Sequence, residues 1–372
     1  MISMQKSTDD YEAWLRSELG GQLVEKDIRK KRKKMAKPEA FPFFRATYWR
    51  WAERIFDICP RKELENVPHV LAVGDIHVEN YGMWRDADMR LIWGVNDFDE
   101  AAEMPYVLDP LRLAASALVG QPDDGALSSR HICKTILDGY ARGLEKPRPF
   151  VLEENHDWLR DWILGAETDK ERGKFWAKLY GIKKPKKPPE PPYVQALEAA
   201  LPDGAEVEKI VRRRAGLGSL GRPRWMAIAR WKGGPVVREA KALVQSAWCR
   251  THRPEDRAIR ARDLAFGPSR APDPWLRFHD GIVVRRLAPH SRKIDAVFDR
   301  EDRPLTDKLL GAMGRELGSI HAGGNRTDAI LKDLESRDHH WLSEAAERAV
   351  DIVRQDHKAW RTAWKGRRKK RA

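Results

Sequence analysis

The chain has 372 residues, of which 41% are hydrophobic and 34% charged, with a formal net charge of +14. This length can bury a large core, and we expect two lobes rather than one. No apolar run approaches the roughly 20 residues of a membrane-spanning helix, and residues 1–6 lack the apolar core of a signal peptide. Three widely separated cysteines indicate neither a zinc site nor a disulfide framework. We therefore expect a cytoplasmic protein.

The positive charge is concentrated in two runs. Residues 26–34 hold seven basic side chains and one acidic one, and residues 365–371 hold six basic ones. Such runs can bind nucleic acid or an anionic surface, and a weak contact of this kind stays open. The simpler interpretation, which we prefer, is a solvated helix and a frayed tail.

Apolar periodicity predicts the elements of the first half of the chain. In chain order they are a charged helix over 10–35, an aromatic-rich helix over about 41–57, short buried strands at 70–73 and 91–95, a helix over 108–118, and further helices within 124–180. Asp109 stands where it could cap the helix over 108–118, and Pro110 is tolerated in its first turn.

A proline- and lysine-rich segment at 183–192 is the clearest linker, because its prolines favour an extended spacer. Beyond it the pattern changes to strand, glycine turn, strand, short turn and strand. We predict an α+β protein with five regions. These are a basic N-terminal helical extension (1–36), a helical catalytic lobe (37–180), a linker (181–204), a smaller antiparallel-sheet lobe (205–300), and C-terminal helices with a basic tail (301–372).

Two acidic clusters follow the two short strands of the first half. They are GDIHVEN at 74–80 and NDFDE at 96–100. Phosphoryl transfer needs an Asp that orients the attacking hydroxyl, an Asn on Mg²⁺, and a second Asp that bridges metal and phosphate. Asp75, Asn80 and Asp97 occur in that order, and carboxylate and amide oxygens are ligands that Mg²⁺ prefers. The alternative is that both Asp residues are turn or cap residues.

Three further residues of these clusters have less defined roles. His77 is expected to order its loop by hydrogen bonding, which we prefer to metal ligation. Asp99 and Glu100 are expected either to support the metal or to cap a turn.

A glycine-rich turn precedes the strand over 235–243. Gly216, Gly218, Ser219 and Gly221 can bring backbone N–H groups close to phosphate, because glycine has no Cβ. Lys241, a hairpin's length further on in the strand over 235–243, could then reach the phosphates of ATP. The turn does not open a helix, so a dinucleotide-binding interpretation fits poorly.

These motifs resemble a known group of enzymes. FFR at 43–45, GDxHxxN at 74–80, NDFDE at 96–100 and DPxRLAxS at 109–116 are together similar to a bacterial family of uncharacterised proteins, within the group that contains aminoglycoside phosphotransferases and choline-kinase-like enzymes. The resemblance spans about residues 37–325. It implies a two-lobed protein kinase-like fold in which Asp75 is the catalytic Asp, Asn80 and Asp97 bind Mg²⁺, and the glycine turn covers ATP.

The chain order departs from that of ordinary kinases, in which the glycine turn and lysine come before the catalytic motifs. We therefore expect a circularly permuted kinase-like fold, since a site is made by spatial arrangement rather than chain order. The family's nucleotide-side lysine falls nearer Arg238 than Lys241. These two residues point to opposite faces of one strand, so only one can face the phosphates, and we favour Lys241.

The expected function is ATP- and Mg²⁺-dependent transfer of a phosphoryl group to a hydroxyl of an unknown substrate; nucleotidyl transfer stays open. One alternative is a non-catalytic pseudokinase associated with nucleic acid through its basic ends. A metallophosphoesterase is a weaker alternative, because that site needs a Gly-Asn-His-Asp/Glu element and the nearest sequence, Gly324-Asn325-Arg326, lacks the His.

Overall fold

The fold is seen in a computed structural model that describes residues 2–121, 127–154, 156–164, 169–289, 291 and 305–369. It is an α+β fold in which every strand pairing is antiparallel. The predicted boundary at residues 300 and 301, and the last residues of the basic tail, lie outside the described residues.

Helices lie at both ends of the chain and also between the strands. They are α1 (Met4–Leu19), α2 (Glu25–Met35), α3 (Ala40–Ala46), α4 (Tyr48–Glu53), α5 (Ile55–Ile58), α6 (Arg61–Leu64), α7 (Leu108–Gly120), α8 (Ser129–Glu145), α9 (Asp157–Leu164), α10 (Asp169–Tyr180), α11 (Pro191–Ala199), α12 (Ala247–His252), α13 (Ala261–Ala265), α14 (Asp307–His321), α15 (Thr327–Ser336) and α16 (Trp341–Lys369). Among the described helices, none is long and apolar enough to cross a membrane.

In the described part of the chain the strands form three separate sheets. They are β1 (His69–Ala72), β2 (Tyr81–Arg85), β3 (Leu91–Val95), β4 (Ala102–Pro105), β5 (Phe150–Val151), β6 (Glu206–Arg212), β7 (Arg224–Trp231), β8 (Gly234–Ala242), β9 (Arg277–His279) and β10 (Ile282–Arg286). Strand β1 pairs with β4, the order β2-β3-β5 makes a second sheet, and the largest sheet has the order β6-β7-β8-β10-β9.

The five-stranded sheet has two apolar faces, because side chains alternate along each strand. One face packs Ala227 and Ala240 against Leu197 of α11. The other face packs Met226 and Ile228 against Leu179 of α10. Helix α10 ends just before the predicted linker (181–204), and α11 lies within it, so that part of the linker is helical. The two helices cover opposite sides of this sheet.

The largest core lies among the helices, and α7, α8 and α14 are central to it. Helices α8 and α14 approach closely through glycines. A Cβ at Gly143 would overlap the Arg315 carbonyl, and a Cβ at Gly318 would overlap the Tyr140 carbonyl. The glycines let the two backbones meet at a distance that larger residues would forbid.

Two predicted helices are broken in the structure. The helix predicted over 10–35 is split into α1 and α2, since Gly20 has a φ of +52° that ends α1. The helix predicted over 41–57 consists of the short helices α3, α4 and α5. Helix α2 is also not simply solvated, because Asp27, Ile28, Lys31 and Met35 are buried.

Candidate functional site

A β-hairpin brings the two acidic clusters together. Strand β2 begins directly after the loop 74–80, and β3 ends directly before the loop 96–100. Tyr81 lies opposite Val95 in the antiparallel register, and the Asn96 N–H donates to the Asn80 carbonyl at 3.1 Å. Strand β2 was not predicted, and the two predicted strands lie in different sheets as β1 and β3.

One face of helix α7 holds the loop 74–80. The Asp109 carboxylate accepts from the N–H groups of Val73 at 2.7 Å and Gly74 at 2.9 Å. Ser116 Oγ accepts from the Val78 N–H at 3.1 Å. The prediction that Asp109 caps its own helix is wrong, because the N-cap of α7 is Val107 and no side chain caps it. Asp109 instead satisfies the backbone of the loop.

Asp109 is itself held by a buried chain of hydrogen bonds. His321 Nε2 lies 3.0 Å from Asp109 Oδ2, and the Tyr140 hydroxyl lies 2.7 Å from His321 Nδ1. A neutral His321 with its proton on Nε2 would donate to Asp109 and accept from Tyr140. The close contact of α8 and α14 brings these two side chains together at the base of the loop.

Asp75 is paired with a buried arginine. Arg112 Nε lies 3.0 Å from Asp75 Oδ1, and the Arg112 guanidinium stacks on the rings of Phe44, Tyr48 and Trp51. Burial raises the pKa of Asp75, while the Arg112 charge acts to lower it. The carboxylate is 19% exposed, so it is held in place and still reachable from solvent.

The other side chains of this loop are tied locally. His77 Nδ1 accepts from the Glu79 N–H at 3.2 Å, and the His77 ring meets Phe41 edge to face. Asn80 Nδ2 donates to the Asp75 carbonyl at 2.9 Å. Because the amide nitrogen of Asn80 is used in this way, its Oδ1 is directed elsewhere and remains available as a ligand.

The second acidic cluster divides into two parts. Lys241 Nζ lies 3.2 Å from Asp97 Oδ1 and 2.5 Å from Asp99 Oδ1. Burial raises the pKa of Asp99, and the neighbouring Asp97 charge raises it further. Glu100 has a separate structural role, because it accepts from Arg222 at 2.8 Å and from the Ala247 N–H at the start of α12 at 2.7 Å.

The glycine turn lies against the loop of Asp75. A Cβ at Gly218 would stand 3.4 Å from Asp75 Oδ2. Gly216 and Gly221 have φ of +70° and +105°, which favour glycine. Ser219 Oγ accepts from Arg224 Nη2 at 2.8 Å, which fixes the turn to strand β7.

Helix α2 also holds this turn, through a residue that no sequence motif indicated. Lys31 is 4% exposed, and its Nζ donates to the Gly218 carbonyl at 2.6 Å. Burial, and then the charge of Arg222, lower the pKa of Lys31 to about 7. Lys31 lies within the basic run 26–34, and the sequence does not distinguish one buried lysine from its exposed basic neighbours.

Lys241 and Arg238 lie on opposite faces of β8. Lys241 faces the acidic pair, whereas Arg238 Nε donates to the Ala200 carbonyl at 2.6 Å, beyond the end of α11. Burial lowers the pKa of Arg238 to about 10. The structure therefore brings Lys241 to the other predicted site residues and leaves Arg238 away from them.

Three arginines surround one carboxylate on the Lys241 face of the sheet. Glu239 is fully buried and pairs with Arg213, with Arg224 at 2.8 Å and with Arg285 at 2.8 Å. These charges hold the pKa of Glu239 well below its usual range, although burial alone would raise it. The cluster carries more positive than negative charge, which suits an anion.

These residues line a cleft of about 940 Å³ between the five-stranded sheet and the helices. Its walls include the sheet residues Glu239, Lys241 and Arg285, the turn at Gly216, and the acidic loop at Asp97. A small cavity of about 50 Å³ is lined by Asp75, Asn80 and Lys31, and Asp97 and Gly216 line both it and the cleft. Site residues far apart in sequence thus line two cavities that share part of their walls.

The donor set of the acidic loops fits Mg²⁺. Within the described part of the chain, no group of three or more His, Cys, Asp or Glu side chains is arranged to hold a metal. Mg²⁺ commonly takes only one or two protein carboxylates, together with water and substrate phosphates. Asp97 and Asp99 with the Asn80 amide match that pattern, and the Lys241 ammonium offsets one of the two negative charges.

Comparison with known proteins gives one match. Residues 23–168 match the model of a family described as an uncharacterized protein conserved in bacteria (DUF2252). The matched segment contains Lys31, Asp75, Asp97 and Asp109, and it ends before the glycine turn and Lys241. This confirms the similarity to an uncharacterised bacterial family over that segment, a shorter stretch than the expected 37–325. No curated protein and no solved structure matches the chain.

Proposed function

We propose that the protein is an ATP- and Mg²⁺-dependent phosphotransferase with a permuted kinase-like arrangement. The observation that carries the proposal is the meeting of Lys241 with Asp97 and Asp99, beside the glycine turn and Asp75. A lysine, a metal-binding Asp, a second Asp and a glycine turn are the parts that phosphoryl transfer requires. Their convergence across about 165 residues of sequence supports the proposal.

The sheet face supplies positive charge for the nucleotide phosphates. Lys241 would turn from the carboxylates toward the phosphates, and Arg213 and Arg285 line the same wall. Mg²⁺, held by Asp97, Asp99 and Asn80, would supply charge neutralisation of the phosphate oxygens. The glycine turn would cover the phosphates with backbone N–H groups.

Asp75 would orient the acceptor hydroxyl. The oxygen of the acceptor hydroxyl would form a bond to the γ-phosphorus, and the bond between that phosphorus and the β–γ bridging oxygen would break. The hydroxyl proton would pass to the Asp75 carboxylate. ADP carries away the electron pair of the broken bond. Arg112 keeps the carboxylate in position, and α7 keeps the loop in position through Asp109 and Ser116.

The test is Mg²⁺-dependent ATP binding by thermal shift. We expect a rise in unfolding temperature with Mg²⁺ and ATP together, and its loss in Asp97→Ala. Asp88→Ala, an exposed carboxylate on the β2–β3 turn, is the matched control and should behave as wild type. The proposal fails if millimolar ATP with Mg²⁺ gives no shift in wild type. Release of pyrophosphate rather than ADP in a turnover assay would indicate nucleotidyl transfer.

The two alternatives have less support. A two-metal hydrolase would need a cluster of several His, Asp or Glu side chains, and the described residues contain no group of three or more such side chains that could hold a metal. A nucleic-acid-binding pseudokinase is weakened by the burial of Lys31, which removes one charge of the basic run from the surface.

A further inference from the structure

A second basic wall of the cleft is formed outside the strands of the sheet. It consists of Lys34 and Lys37 at the end of α2, with Lys174 and Lys178 of α10. We call these four residues the lysine shelf. Lys174 pairs with Glu171 at 2.7 Å. Among the described residues, no carboxylate lies within ion-pair distance of Lys34, Lys37 or Lys178.

The charges around Lys34 repel one another. Burial lowers the pKa of Lys34, and Lys30, Lys37 and Arg45 lower it further. No anion is among the causes of the shift. Lys34 is half-buried, so this repulsion is only partly screened by water. An anion bound at the shelf would relieve it.

Arg45 connects this wall to the candidate base. Its guanidinium pairs with Glu79 in the loop of Asp75, and its charge acts on both Asp75 and Lys34. The α2 part of the shelf therefore lies beside Arg45 and the loop of Asp75, whereas its α10 part adjoins the sheet face that carries the arginines around Glu239. Lys34 and Lys37 are thus basic residues of the cleft that belong to a different element from those arginines.

The volume of the cleft agrees with two ligands. At about 940 Å³ it lies near the top of the range for small-molecule pockets, roughly 300–1,000 Å³. An amine-rich acceptor would be repelled by the shelf, and a neutral one would leave its charges unused. A doubly charged phosphate would neutralise two lysines through charge-assisted hydrogen bonds.

We propose that the acceptor is a small alcohol that already carries a phosphomonoester, and that this phosphate binds the lysine shelf while the hydroxyl faces Asp75. This inference rests on the proposed phosphotransferase function. It names the class of substrate, a phosphorylated alcohol, and it assigns Lys34 and Lys37 to substrate recognition rather than to the nucleotide.

The test compares two double variants of the full chain with the same change of charge. Lys34→Glu/Lys37→Glu reverses the shelf, and Lys26→Glu/Lys33→Glu reverses two exposed lysines of α2 outside the cleft. Each protein is saturated with Mg²⁺ and a non-hydrolysable ATP analogue. Binding of inorganic phosphate is then measured by isothermal titration calorimetry. We expect phosphate to bind at least about tenfold more weakly to the shelf variant and within about twofold of wild type to the control.

A turnover assay provides the second measurement. ADP release should be stimulated by glucose 6-phosphate or glycerol 3-phosphate more than by glucose or glycerol, with a raised KM and little change of kcat in the shelf variant. Equal phosphate binding by both variants overturns the proposal, as does preferential stimulation by a neutral or amine-bearing alcohol. Tight binding of a 20-nucleotide RNA that depends on Lys34 and Lys37 also overturns it, in favour of a nucleic-acid surface.

The outcomes separate this inference from the proposed function. If wild type shows no Mg²⁺-dependent ATP shift, the phosphotransferase proposal fails, and the inference fails with it. If ATP binds normally to wild type and to the shelf variant while phosphate binding is unchanged between them, only the acceptor assignment fails.

Discussion

At the scale of single residues, the charge state of Asp75 depends on a balance between burial and Arg112. Burial favours the protonated acid, and the guanidinium favours the carboxylate. Arg112 cannot move away easily, because three aromatic rings enclose it and it is 1% exposed. The pair therefore sets the lowest pH at which Asp75 can orient or accept a proton.

Removing the arginine charge should move the pH dependence of activity. We expect Arg112→Met to raise the pKa of Asp75 further, so that the acidic limb of kcat/KM shifts to higher pH. Arg112→Lys retains the charge and should shift it less, which also guards against a simple failure to fold. Arg262→Met, at an exposed position, is the control. An acidic limb that stays in place in a folded Arg112→Met variant would show that Asp75 is not the titrating group.

The buried Lys31 should leave a signature in stability rather than activity. Its pKa is lowered from 10.5 to about 7, so between these values the unfolded chain binds more protons than the folded one. The free energy of unfolding should therefore rise with pH across this window through Lys31. In Lys31→Met that contribution is lost, whereas exposed Lys33→Met should retain it.

The measurement is denaturant unfolding of the three proteins at pH 7 and pH 10. The stability of Lys31→Met relative to wild type should fall by more than about 1 kcal/mol from the lower to the higher pH. A constant difference would mean that Lys31 stays charged in the folded protein.

At the scale of elements, the spacing of three polar residues along α7 positions the loop 74–80. Asp109, Arg112 and Ser116 are three and four residues apart, so they share one helical face. That face meets the loop 74–80 at its backbone and at Asp75. The sequence motif could be seen beforehand, but its purpose could not, because an Asp near a helix start is more often a cap.

The glycine contact between α8 and α14 gives a prediction with an internal control. Gly318→Ala would push α14 away from the Tyr140 carbonyl, and we expect a loss of about 1–3 kcal/mol in the free energy of unfolding. Gly366→Ala, in α16 with no atom near its Cβ, should gain up to about 1 kcal/mol through helix propensity. Urea unfolding of both variants measures this contrast, and similar effects of the same sign would contradict the packing argument.

At the scale of the whole molecule, the sequence predicted what short-range patterns encode. The apolar runs at 70–73 and 91–95 correspond to β1 and β3, and the glycine turn lies between β6 and β7 as expected. The sequence did not predict strand β2, because the residues of this strand directly follow a polar loop. Nor could it predict that Lys31 enters the site, because a contact between residues 31 and 218 depends on long-range packing that no local pattern records.

The first 36 residues were predicted to be a basic extension, and their contacts indicate a structural role instead. The Val24 N–H donates to the Gly221 carbonyl at 2.9 Å, and Ile28 packs against Gly221. Arg32 of α2 bonds Glu12 of α1 at 2.8 Å, which ties the two helices together. This segment therefore supports the glycine turn from behind.

Removal of residues 1–36 should consequently damage the sheet side of the cleft as well as the core. We expect this deletion to lower the unfolding temperature by at least about 10 °C, or to leave the protein insoluble, since it removes the buried Tyr11, Leu15 and Met35 and uncovers core side chains such as Trp49, on which Tyr11 stacks. Truncation after Lys365 removes the basic tail beyond Trp364, which packs on the core, and should leave the unfolding temperature within about 2 °C of wild type. Thermal unfolding by circular dichroism compares the two. A stable, cooperatively unfolding protein without residues 1–36 would show that the N-terminal helices are an appendage after all, and that the glycine turn keeps its place without Lys31.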